Sequence, residues 1–227
     1  MNNNILQIDN KATHVLRDYF DAADAVAAKV TERVLDAFRE ERVSDSMFAM
    51  TSGYGYDDRG RDALDRVWAR VFGTEAACVR HNIVSGTHAL TIGLFALLRP
   101  GDVLLSLTGK PYDTLDEVIG LTGEAGSGSL RDFGVDYREV PLDGDFTAAL
   151  ADPRVKVAFF QRSKGYMNRR TLSADELTTL TRRVKALRPD IYTVVDNCYG
   201  EFVCEREPEA DLLIGSLIKN PGGGIAE

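Results

Sequence analysis

An α/β protein with a mainly parallel sheet is what this sequence predicts, and three observations carry that prediction. Short apolar runs alternate with helical stretches over the last two thirds of the chain. Two of the runs, Val155-Lys156-Val157-Ala158-Phe159-Phe160 and Ile191-Tyr192-Thr193-Val194-Val195, are apolar on both faces, as inner strands of a covered sheet must be. Ser173 stands three residues before Glu176, a capping-box pattern that starts a helix between those runs.

In chain order, residues 11–42 read as one long amphipathic helix. Val15, Tyr19, Val26, Val30, Val34 and Phe38 recur near three- and four-residue spacings, with charged residues on the other faces. This arm suits packing or dimer contact. Glycines break the pattern over residues 51–60, which form a loop. Leu64, Val67, Trp68, Val71 and Phe72 then make the stripe of a second helix that Gly73 ends. Strands are expected at 76–79, 103–107, 136–140, 155–160, 192–195 and 212–214, with helices at 87–98, 114–121 and 174–187. The domain organisation expected is an N-terminal helical arm, 1–50, followed by a cofactor-binding large domain, 51–227. A glycine turn at 220–224 leads toward a further element just before the chain stops, so a truncated chain is expected.

Composition bounds the function. With 27 lysines and arginines against 35 aspartates and glutamates, the formal net charge is −8, which argues against phosphate-backbone binding. No stretch approaches the roughly 20 apolar residues of a membrane span, and no basic segment followed by an apolar run opens the chain. Three cysteines, Cys78, Cys198 and Cys204, suit a reducing compartment better than a disulfide framework, so a cytoplasmic protein is expected. The glycine fingerprints of dinucleotide and nucleoside-triphosphate sites are absent, as is the nucleophile elbow. His81 and His88 have no third ligand nearby, so no metal site is expected.

In open α/β sheets ligands bind beyond the carboxyl ends of the strands, and four features fall there. Ser85-Gly86-Thr87-His88-Ala89 opens an apolar helix, where free backbone N–H groups can hold a phosphate; the same residues could equally be a plain N-cap. Asp196 directly follows a buried strand and could pair with a protonated ring nitrogen, or simply cap a turn. Lys219 lies on a loop three residues past Ser216; it could form a Schiff base beside a phosphate-binding serine, or be a solvated surface lysine. Tyr112 could stack on a heteroaromatic ring or be an ordinary turn residue. Each is weak alone. Together, in this order, they match what a pyridoxal-phosphate enzyme needs.

Five blocks carry a resemblance: Gly53-Tyr54-Gly55-Tyr56-Asp57-Asp58, Ser85-Gly86-Thr87-His88-Ala89, residues 108–114, residues 195–202 and residues 216–224. They resemble the aluminium-resistance proteins, also called methionine γ-lyase-like or cystathionine β-lyase-like, within the fold-type-I pyridoxal-phosphate enzymes. The resemblance implies a three-layer α/β/α large domain, truncated before a C-terminal small domain, and pyridoxal 5′-phosphate as cofactor. It implies Lys219 as the Schiff-base lysine and Asp196 as the partner of the ring nitrogen. It further implies Ser85, Gly86, Thr87 and Ser216 at the phosphate, and Tyr112 against the ring. Tyr56 with Arg61, or with Arg59, would reach the phosphate of a neighbouring subunit. Gln161, Arg162 and Ser163 are expected to line the site.

The reaction implied is elimination of a sulfur leaving group from an amino acid by a carbon–sulfur lyase, in a cytoplasmic homodimer or homotetramer. Neither a nucleic acid nor a membrane is expected as partner. A different pyridoxal-phosphate reaction, such as transamination, and an inactive truncated chain are the alternatives.

Overall fold

The computed structural model describes residues 3–54, 56 and 58–222. The end of the expected glycine turn, from residue 223 onward, lies outside them, as do Gly55 and Asp57 of the first block.

The chain divides into two compact units. The first holds residues 1–79 and 202–206, the second 80–201 and 207–227. The boundary expected at residue 50 falls inside the first unit.

The first unit is helical: α1 (Asn3–Val15), α2 (Arg17–Glu40) and α3 (Arg59–Phe72). The single helix expected over 11–42 is therefore two, parted at Leu16, whose φ of −95° and ψ of 6° leave the helical region. Neither proline nor glycine marks that break. Asp58 caps α3 by accepting the Arg61 amide, and Gly73 closes it in the left-handed region at φ 67°. Ala37, Val67 and Val71 form the buried core here, with Trp68, Phe72 and Phe202 stacked beside them. The strand expected at 76–79 does not form; those residues are irregular, and the Val79 amide is held by the Asp65 carboxylate instead of by a strand ladder.

The second unit carries the sheet. Its strands are β1 (Val103–Ser106), β2 (Asp136–Glu139), β3 (Val155–Gln161), β4 (Tyr192–Asp196) and β5 (Leu212–Ile214). They lie in the order β2-β1-β3-β4-β5, and every pairing is parallel. Helices α4 (Gly86–Leu97), α5 (Asp116–Ile119), α6 (Thr147–Leu150) and α7 (Ala174–Leu187) connect them. The helix expected over 114–121 is shorter, a 3-10 turn at Asp113–Leu115 running into α5.

Because successive side chains in a strand face opposite ways, each strand feeds two cores. Val103, Leu105, Ala158, Phe160 and Val195 pack with Leu150 of α6 and with Leu177 and Val184 of α7. Leu104, Val157, Phe159, Val194 and Ile214 pack with Leu90 and Leu94 of α4 and with Ile119 of α5. The sheet is thus the middle of three layers, as expected. The capping box of α7 is complete: Ser173 Oγ accepts the Glu176 amide at 3.2 Å, and Glu176 Oε2 accepts the Ser173 amide at 2.8 Å.

Candidate active site at the carboxyl edge of the sheet

From its carboxyl end β1 connects to β2 on one side, while β3 connects to β4 on the other, so the two connections diverge and open a crevice between the carboxyl ends of β1 and β3. Tyr112 and Gln161 meet there. Gln161 ends β3, its amide donates to Thr108 Oγ1 at 3.0 Å, and its Oε1 accepts the Tyr112 amide. The Tyr112 ring lies 5.4 Å from the Tyr166 ring. Its hydroxyl is pushed up to about 12, first by the hydrogen bond with Tyr166 and then by burial.

Asp196 is the last residue of β4 and is buried. Burial raises its carboxyl to about 6, against the partial pull of hydrogen bonds from the Cys198 amide and thiol. The same burial, with Asp196 beside it, drives the Cys198 thiol far up, so Cys198 stays protonated.

Three segments converge near it. A Cβ added at Gly86, the first residue of α4, would lie 3.0 Å from Cys198 Sγ and 3.6 Å from Ser216 Cβ. Glycine therefore lets the helix start approach the Asp196 turn and the loop after β5 closely. Ser85 accepts the His88 amide at 3.0 Å and is the N-cap of α4, while Thr87 Oγ1 donates to Thr114 Oγ1 at 2.9 Å. Ser216 is buried, and its hydroxyl has no hydrogen-bond partner among the described residues. Lys219 is half-buried, with Nζ 5.0 Å from the centre of the Tyr199 ring.

Other expected site residues stand elsewhere. Arg162 does not line a cleft. It is fully buried, donating to Asn197 Oδ1 at 2.7 Å, to the Gly200 carbonyl at 2.6 Å and to the Leu172 carbonyl at 3.2 Å, with Glu207 at 3.4 Å. It is scaffolding beneath the Asp196 turn. Tyr56 belongs to the first unit, where it is exposed and stacks on Tyr54. Arg61 there pairs with Asp58 at 3.5 Å, and Arg59 begins α3. Glu201, which is wholly buried, lies within the block 195–202, yet nothing in the sequence assigns it a role.

The donor set suits pyridoxal phosphate. Among the described residues the buried Ser216 hydroxyl has no hydrogen-bond partner and no cation pairs with the buried Asp196 carboxyl, and the start of α4 presents main-chain N–H groups to an anion. Among the described residues no cluster of three or more His, Cys, Asp or Glu could hold a metal ion.

A parallel sheet between two helical layers, with this edge, is the large-domain fold of the fold-type-I pyridoxal-phosphate enzymes. Residues 5–227 match the methionine gamma-lyase family, and the chain belongs to it. YnbB of Bacillus subtilis (strain 168) is 52% identical over 204 residues, 86% of this chain and 48% of YnbB. The carbon–sulfur lyase involved in aluminium resistance from Clostridium novyi NT superposes with a TM-score of 0.92 at 44% identity, over 99% of this chain and 56% of that one. A Bacillus cereus structure gives 0.92 at 46% identity, over 97% and 56% of the two chains. The chain thus spans about half the length of these relatives. Among the described residues no helix is long and apolar enough to cross a membrane.

Proposed function

We propose that this chain forms the cofactor-binding part of a pyridoxal-phosphate-dependent lyase that eliminates a sulfur leaving group from an amino acid. One observation carries the reading. A buried carboxyl, an unpartnered buried serine hydroxyl and a lysine all stand at the carboxyl edge of one parallel sheet. The printed activity of the Clostridium novyi relative supports the reaction class.

In this reading Lys219 Nζ holds the cofactor aldehyde covalently, and Asp196 faces the ring nitrogen. The first turn of α4, from Ser85 through Gly86 and Thr87, binds the phosphate together with Ser216. Tyr112 stacks on the ring. When bound, the cofactor supplies an electron sink for negative charge at the substrate Cα. Asp196 keeps a proton on the ring nitrogen through its own negative charge. As a free amine, Lys219 Nζ would be the base for the proton at the substrate Cα. With sulfur at Cβ or Cγ, the net reaction with water yields a thiol, a keto acid and ammonia. Tyr56 and Arg61, or Arg59, serve the phosphate of a second subunit, which makes the working unit a homodimer or a pair of dimers in the cytoplasm.

The test is an absorbance spectrum with added pyridoxal phosphate, then borohydride trapping and peptide mapping. It is run on this chain and on a version extended past Glu227. Cofactor trapped on Lys219 supports the reading; if neither version takes it up, the reading fails. Release of keto acid, ammonia and thiol by the loaded longer version separates elimination from transamination, which consumes an amino acceptor.

A further inference from the structure

The turn after β4 is fastened to the loop after β5 by a set of bonds centred on a residue without an assigned role. Glu201 is fully buried, and its Oε1 accepts the Ser216 amide at 2.7 Å. Its main-chain carbonyl accepts Asn220 Nδ2 at 2.8 Å, and the same Nδ2 donates to the Tyr199 carbonyl at 3.0 Å. The Asn197 amide donates to the Ile214 carbonyl at 2.7 Å, closing the near end. Ser216 and Asn220 bracket Lys219, whose amide donates to the Ser216 carbonyl at 3.2 Å. Both ends of the lysine loop are therefore tied to residues 199–201.

Two local features fit that attachment and little else. A Cβ on Gly215 would stand 2.8 Å from Glu201 Oε1, so glycine there leaves room for the carboxyl beneath the loop. Tyr199 sits at φ 66°, a left-handed conformation that strains a non-glycine residue. In return its ring lies under Lys219 Nζ, 5.0 Å away. Burying a carboxyl is costly, and burial raises that of Glu201. Among the described residues its Oε2 has no partner, so simple satisfaction of hydrogen bonds does not account for a glutamate at this place.

We infer that Glu201 is a positioning residue: it fixes the main chain of the Ser216–Lys219 loop, with Asn220 as the outer fastening, and so presents Lys219 Nζ to the cofactor aldehyde. This rests on the reading of Lys219 given above. What matters is the acceptor at Oε1, so Glu201→Gln preserves the function and Glu201→Ala destroys it.

Two measurements test it on the same protein. In the cofactor-free chain, amide hydrogen exchange of the peptide covering 214–220 is expected to speed up at least tenfold in Glu201→Ala and to stay within about twofold of the parent in Glu201→Gln. With pyridoxal phosphate added, the rate of borohydride trapping on Lys219 is expected to follow the same pattern. Should Glu201→Ala fail to fold, Asn220→Ala replaces it, because that exposed side chain can be removed without opening the core. It is expected to slow trapping several-fold at an unchanged melting temperature. Unchanged exchange in both alanine variants, or loss in Glu201→Gln equal to that in Glu201→Ala, overturns the inference. Absence of trapping in the parent, with the expected exchange pattern intact, sinks the cofactor reading and with it the presentation of Lys219 to an aldehyde, leaving only the fixing of the loop main chain by Glu201.

Discussion

The main-chain amide of Cys198 donates to Oδ1 of Asp196 at 3.0 Å, and around that bond the carboxyl is buried. Its ordinary value of 3.8 rises to about 6 because burial penalises the charged form more than this donor supports it. The folded cofactor-free chain therefore binds a proton here more tightly than the unfolded chain does. Stability from this group is full below about pH 4 and is lost as the pH rises through about 6, a total on the order of 3 kcal/mol.

Asp196→Asn removes that loss while keeping an acceptor for the Cys198 amide. Its melting temperature without cofactor is expected to exceed the parent's at pH 8, and the gap should close toward pH 4. Melts at a series of pH values check this; a gap independent of pH would mean that Asp196 is not the titrating group.

Ser216→Ala deletes a hydroxyl that bonds to nothing in the described structure. Without cofactor the change should alter stability by less than about 1 kcal/mol. Pyridoxal phosphate affinity should fall roughly tenfold or more, the value of a hydrogen bond to a charged group. Titration of the spectrum against cofactor concentration measures it, and equal affinities would remove Ser216 from the phosphate.

Arg162→Met should be the most damaging of these changes to the fold. It strips Asn197, two main-chain carbonyls and the equally buried Glu207 of their shared cation, and breaking a buried pair costs about 3–5 kcal/mol. The urea midpoint reports it. A midpoint within experimental error of the parent's would show that water replaces the guanidinium.

Ser173→Ala should cost about 1 kcal/mol by uncapping α7. Glu176, held below the usual carboxylate range chiefly by the Ser173 amide, adds stability that is present above its unfolded value and lost as the pH falls through its folded one. The penalty of Ser173→Ala, read from denaturant melts, should therefore persist at pH 7.

The apolar strands β1, β3 and β4 are the easiest to locate from the sequence, whereas β2, Asp-Tyr-Arg-Glu at the edge of the sheet, is polar. β3 and β4 stand out because both of their faces are covered, and the α7 cap is a purely local bond. Residues 76–79 look as strand-like as 212–214, yet only the latter find a neighbour in the sheet. A strand is a property of its partner, which local pattern does not supply. The break at Leu16 is hidden for the opposite reason: the apolar spacing runs on across it. The buried place of Asp196 is visible in the sequence because it closes an apolar strand, and Lys219 draws notice only as a lysine on the loop that follows β5. Glu201 is not legible, since it matters only once the two loops are side by side, and Arg162 looks site-facing until Asn197, the Gly200 and Leu172 carbonyls and Glu207 close around it.

The alternation of Val157 and Phe159 with Ala158 and Phe160 makes β3 a ruler as well as a wall. Inserting one residue before Gln161 would carry its side chain to the opposite face and strand the Tyr112 amide, whereas an exchange such as Val157→Ile leaves the count intact. The position of Gln161 is thus set by the number of residues in β3, not by their bulk.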